Sequence, residues 1–267
     1  MSVEAMPVLT GVLREQRRSV IVWSVALFAV SAFYISFYPA MGGTTAMQDL
    51  IDSMPSGMTE ALGYDQIGSA AGYIGATVYG LLGPILMLVF GITTGARLIA
   101  GEEEAGSLEL ELAAPVDRMR LVGERWLAVA IDLFVLAISV ALASVLLVVG
   151  LDLDVNLMNL LAITVGLLLF ALAFASVAFA IGAATGSRTA ALGGTAAFAV
   201  MAYLAHAIGP QIQGGEWMDK ISPFGWYKGG DPLINGWDIG GLALLGAVVV
   251  ISVPIALVTF ANRDFGT

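Results

Sequence analysis

Six long apolar runs divide the chain, at about residues 19–40, 73–99, 126–151, 157–183, 189–210 and 239–261. Each is at or near the length of about 20 residues that a helix needs to cross about 30 Å of hydrocarbon. Charged positions collect between the runs and are sparse within them, so each run reads as a membrane-spanning helix. The chain is therefore predicted to be all-α, a polytopic membrane protein with one transmembrane domain over residues 1–267. The first run exceeds the apolar core of a secretory leader, about 7 to 15 residues, and is expected to remain as a span. Ahead of it, residues 7–18 place Val8, Leu9, Val12 and Leu13 on one helical stripe and Arg14, Arg17 and Arg18 mostly on the other. That pattern suits an amphipathic helix in the membrane interface, or equally a helical extension of the first span with a basic flank.

Several positions inside the runs break the apolar pattern. Gly83 and Pro84 fall in the middle of the second run, where proline removes a backbone hydrogen bond and predicts a kink; Pro254 predicts a bend in the sixth. Gly91 and Gly95 lie four apart, the spacing that lets helices approach closely in lipid. Asp132 follows the interfacial anchor Trp126 by six residues, about 9 Å deeper along a helix. A carboxylate there either serves a transport pathway or hydrogen-bonds a neighbouring helix. His206, the sole histidine, falls near the far end of the fifth run, where it has either a gating or ligand role or a passive place among head groups. Between the last two runs, residues 211–238 carry Trp217, Phe224, Trp226, Tyr227 and Trp237, an aromatic content that predicts a segment lying on or dipping into the leaflet.

Composition sharpens the class. Hydrophobic residues make up 58% of the chain and charged ones 12%, against about 25% charged in soluble domains. Six spans put both termini on one side together with Arg14, Arg17, Arg18, Arg97, Arg118, Arg120, Arg125, Arg188 and Arg263, leaving Lys220 and Lys228 on the other. Nine basic residues against two predict cytoplasmic termini and a cytoplasmic loop at 97–125. The net charge of −10 argues against nucleic acid as a partner. With no cysteine and one histidine, thiolate sites are excluded and no metal-ligand cluster is visible.

The residues also argue against ATP chemistry in this chain. A phosphate-binding loop needs its glycines followed by Lys and then Ser or Thr; Leu81 and Leu82 follow the glycines at 75 and 80, and the first lysine is Lys220. No G-x-S-x-G elbow accompanies His206. Catalysis is therefore not expected, and no cofactor or metal is expected to be bound by this chain.

The loop at 97–125 holds the charge. Within it Gly106 and Pro115 bracket a segment whose LELEL pattern alternates, while Leu108, Leu112 and Pro115 also share a helical face, so periodicity leaves strand and helix open. These residues resemble the membrane subunits of type-2 ABC exporters, the ABC transporter permeases. The resemblance runs through Glu102 and Glu104, the tracts Gly106, Ser107, Leu108, Glu109 and Pro115, Val116, Asp117, Arg118, and then Arg125. It continues in Ser222, Pro223, Phe224 and in Phe260 to Asp264. It implies a dimer of permeases, each bound through this loop to a cytosolic ATP-binding subunit that carries the ATP and magnesium. A coupling helix is implied at about 106–118, an interfacial helix at 7–18 and re-entrant pieces at 211–238. The docking residues implied are Glu102, Glu103, Glu104, Gly106, Ser107, Leu108, Glu109, Glu111, Leu112, Pro115 and Arg118. Glu111 stands where the family more often carries an apolar residue, which points to a more polar contact with the motor.

The expected function is thus the permease half of an exporter in a prokaryotic plasma membrane. It moves a hydrophobic or amphipathic small molecule, drug or lipid-like, outward by alternating access, in contact with membrane lipid. A secondary carrier using Asp132 and His206, or a scaffold transmitting ATPase motion to outer partners, are the rival readings.

Overall fold

The computed structural model describes residues 6–40, 69–106 and 117–263. Among the described residues all regular structure is helical. The long helices are α1 (Pro7–Ala40), α2 (Ala70–Glu104), α3 (Arg118–Gly150), α4 (Leu157–Thr185) and α5 (Arg188–Ile208). Three short helices follow, α6 (Glu216–Lys220), α7 (Pro223–Lys228) and α8 (Pro232–Asn235), before the last long one, α9 (Ile239–Ala261). Six of these helices are long and apolar enough to cross a membrane, which makes the chain an all-α, multi-pass membrane protein. They match the six apolar runs, but several continue past the apolar residues, because the charged residues at their ends find partners on neighbouring helices.

The two readings of residues 7–18 resolve in favour of the extension. Pro7 is tolerated in a first turn, and no proline lies between Pro7 and Pro39, so α1 runs unbroken from Pro7 and residues 7–18 form no separate interfacial helix. The buried positions Leu9, Gln16, Val20, Leu27, Ser31 and Ile35 recur at intervals of seven and four. That seam lies along α3, its main neighbour.

Caps end the helices where the sequence supplies them. The Asp117 side chain accepts from the Met119 N–H at 2.7 Å, Ser187 caps α5 by accepting from Ala190 N–H, and α4 ends on Gly186 in the left-handed region at φ 64°. Only Gly186 and Ser187 separate α4 from α5, so the hairpin between them is tight.

α4 is the centre of the bundle. Buried residues make up 67% of its apolar stretch, against 22% for α1, α5 and α9. Its alanines allow α2 to approach at backbone distance: a Cβ on Gly91 would sit 3.3 Å from the Ala171 carbonyl oxygen, and one on Gly95 would sit 2.5 Å from that of Ala175. The predicted close approach at Gly91 and Gly95 is therefore made, against α4. The irregularity expected at Gly83–Pro84 takes a specific form, a π turn at Val78–Leu82 immediately before them. A second π turn, Arg97–Gly101, lies near the end of α2.

Candidate functional site

Both π turns of α2 leave a main-chain carbonyl to be satisfied from elsewhere. In the first, Gly83 N–H bonds to the Val78 carbonyl, five residues back. Continuing that pattern, Tyr79 would be served by Pro84, which has no N–H. The Tyr227 hydroxyl, projecting from α7, donates to the Tyr79 carbonyl instead at 2.7 Å. Tyr227 is held by stacking on Phe170 of α4, with centroids 5.1 Å apart. The Tyr79 hydroxyl bonds Ser144 of α3 at 3.2 Å and Thr164 of α4 at 2.9 Å. The short helix α7 of the aromatic segment is thereby bolted to three of the long helices.

In the second π turn, Glu102 N–H bonds to the carbonyls of Arg97 and Ile99 and bypasses Leu98. The guanidinium of Arg125 in α3, 1% exposed, donates to the Leu98 carbonyl. A charge-assisted bond of this kind is about twice as strong as a neutral one.

Beyond that turn the acidic triplet reaches other helices. Glu103 Oε1 accepts from the Arg263 guanidinium, which also donates to the Ala183 carbonyl at 2.9 Å. Glu104 Oε1 accepts from the Arg188 N–H at the start of α5, 2.8 Å. Arg118 Nη1 donates to the Arg263 carbonyl at 3.3 Å. At the head of α3 the buried carboxylate of Glu124 accepts from Leu9 N–H of α1 at 3.0 Å and from Arg120 Nε at 2.7 Å. A carboxylate at the positive end of α1 is favoured by the helix dipole as well as by the bond itself.

Of the expected docking residues, Glu102, Glu103, Glu104, Gly106 and Arg118 therefore surround the two ends of segment 107–116. Ser107, Leu108, Glu109, Glu111, Leu112 and Pro115 lie outside the described residues. Glu103 and Glu104 are engaged within the chain, bracing α2 against α9 and the α4–α5 hairpin. Glu124 was not foreseen; the Arg120 to Glu124 spacing of four was the available signal.

The intramembrane candidates separate. His206 Nδ1 lies 2.6 Å from Asp219 Oδ1 of α6, with its ring stacked toward Phe224; it clamps α5 to α6. Asp132 is 3% exposed, and among the described residues its Oδ2 has no hydrogen-bond partner. Gln16 of α1, also 3% exposed, has an unpartnered Nε2. Arg97 supplies the positive charge acting on Asp132, while its own guanidinium reaches Glu15 at 3.4 Å. Asp132 thus lies within the field of Arg97, at the start of the second π turn, and His206 lies apart with Asp219.

Among the described residues, an all-helical bundle with six helices long and apolar enough to cross a membrane, whose acidic triplet and basic residues pair across helices at one end, defines a polytopic membrane subunit. The family model for ABC-2 family transporter proteins matches residues 8–265, nearly the whole chain, and the protein belongs to that family. It is a transporter membrane subunit of the permease type, as the resemblance implied. No curated protein matches the chain.

Proposed function

We propose that this protein is the permease half of an ATP-driven exporter that moves a hydrophobic or amphipathic small molecule outward across a prokaryotic plasma membrane. Both termini are then cytoplasmic. Two permeases form the pathway, and each receives a separate ATP-binding subunit, holding ATP and magnesium, through residues 102–118. The observation that carries the reading is the bracing around that segment. Glu103 to Arg263, Glu104 to Arg188 and Glu124 to Leu9 tie its flanks to α9, α5 and α1, so displacement of the loop is passed to most of the bundle. ATP biases the two access states by binding one of them more tightly, and the braces turn that bias into helix movement. The exposed, small-sided surface of α5, with Gly193, Gly194, Ala196 and Ala197, suits close contact with a second permease.

The test is co-purification of the ATP-binding subunit with the full-length permease. Charge reversal at Glu109 and Glu111 is expected to abolish the association. Glu103→Gln is expected to leave association intact while reducing substrate-stimulated ATP hydrolysis, because it removes a brace and not a contact. Undiminished association after reversal of Glu102, Glu104, Glu109, Glu111 and Arg118 together would place the docking surface elsewhere. Transport abolished by a protonophore at constant ATP would instead favour a carrier that uses Asp132.

A further inference from the structure

The two lysines of the chain, Lys220 and Lys228, both fall in the aromatic segment, and they are placed differently. Lys220 is exposed at the end of α6, whereas Lys228 is half-buried at the end of α7 and turned toward α2. Its Nζ lies at Gly80 in the first π turn, so close that a Cβ on Gly80 would sit 3.0 Å away. Among the described residues this ammonium makes no hydrogen bond, and no carboxylate lies within 4.0 Å of it. Burial pushes Lys228 below the usual lysine range, and the more distant Asp231 carboxylate opposes that shift. An ammonium has three donors to satisfy. Holding it half out of water with no acceptor is unfavourable, and such groups in membrane proteins mark functional sites.

The surroundings say what kind of acceptor fits. Gly80 presents no side chain, which is what lets Nζ come this close to the turn. The next residue, Leu81, is 51% exposed, and Ile85, about one turn further on, is 50% exposed. The ammonium therefore borders an apolar outer surface of α2, beside which a hydrocarbon chain can lie. A ligand with one anionic oxygen group and an apolar tail satisfies both features.

We propose that Lys228, at the bare turn of Gly80, is the recognition point for the phosphate or carboxylate of an anionic amphiphile whose tail lies along Leu81 and Ile85. The proposal rests on the permease reading above and narrows its substrate class. It is tested on the permease alone, by native mass spectrometry of the full chain in neutral detergent with phosphatidylglycerol or phosphatidylcholine of equal chain length. The wild type should retain phosphatidylglycerol about tenfold better, corresponding to about 1.4 kcal/mol. Lys228→Gln should lose that preference, Lys228→Arg should keep most of it, and Lys220→Gln should keep all of it. If Lys228→Gln does not fold, Lys228→Met asks the same question with a side chain of similar length and no charge, and should lose the preference. Equal retention of both lipids by the wild type, or a full preference in Lys228→Gln or Lys228→Met, overturns the proposal. Displacement of the lipid by millimolar inorganic phosphate would reveal a site for the free anion and would equally overturn it. Because this binding needs no motor, loss of ATP-driven export with lipid binding intact would count against the exporter reading and leave the site standing.

Discussion

At Val78–Leu82 the carbonyl left over by the wider turn is that of Tyr79, and a phenol takes it; at Arg97–Gly101 it is that of Leu98, and a guanidinium takes it. The first arrangement follows from one residue, since Pro84 cannot donate to the turn before it. Its lock is neutral, buried and backed by the stacked ring of Phe170. The second has no proline nearby and is held by charge: Arg125 on Leu98, with Arg97 reaching Glu15. One helix therefore carries a turn set by covalent structure at one end and a turn set by electrostatics at the other. The electrostatic one adjoins the loop where a motor is proposed to act, and a lock made of charges responds to the charges of a partner.

The contrast is broken first at Arg125. Arg125→Met removes a charge-assisted bond within the bundle and should lower stability by about 2 to 3 kcal/mol, read from unfolding of the purified protein in detergent. A cost no larger than that of a neutral bond would mean that charge is not what holds the second turn. Tyr227→Phe leaves the Tyr79 carbonyl without its donor and should cost about 1 kcal/mol. That cost should shrink in the Pro84→Ala background, where a main-chain N–H is restored. A double-mutant cycle measures the coupling, and strict additivity would refute the role given to Pro84. The smallest effect is expected for Glu15→Gln. Its side chain is 65% exposed and that of Arg97 37%, so the pair is screened and should contribute under about 1 kcal/mol. A larger loss would show that Arg97 depends on Glu15 for its position.

Much of this was legible in the chain. Apolar runs located all six long helices because a helix crossing hydrocarbon must satisfy its own backbone and present apolar side chains to lipid. The glycines at 91 and 95 announced a close approach, though not that α4 was the partner, since spacing on one helix carries no information about its neighbour. Pro84 announced an irregularity, but not that Tyr227, 148 residues away, would take the carbonyl it leaves. Residues 7–18 left two readings because their pattern fits both, and the seam from Leu9 to Ile35 along α3 decides between them. At the candidate site the acidic triplet was noticed as charge beside a membrane. That Glu103 and Glu104 turn inward to Arg263 and Arg188 follows from the return of α9 and the α4–α5 hairpin to the same end, which no local pattern encodes. Lys228 was counted as a charge on one side of the membrane, and its approach to Gly80 is likewise a product of tertiary packing.

The carboxylate of Glu124 on the first turn of α1 also sets a phase. With Leu9 pinned there and Gln16, Val20, Leu27 and Ile35 along one seam, α1 is keyed at several points to α3 like a toothed rack. Deleting one residue between Leu9 and Gln16 would rotate everything after it by about 100° relative to the pin. The seam would then turn away from α3 while Ile21 and Val25, now exposed, swung toward it. Insertions of three or four residues nearly restore the phase, so the length of this stretch between pin and seam should tolerate change in whole turns and resist single steps.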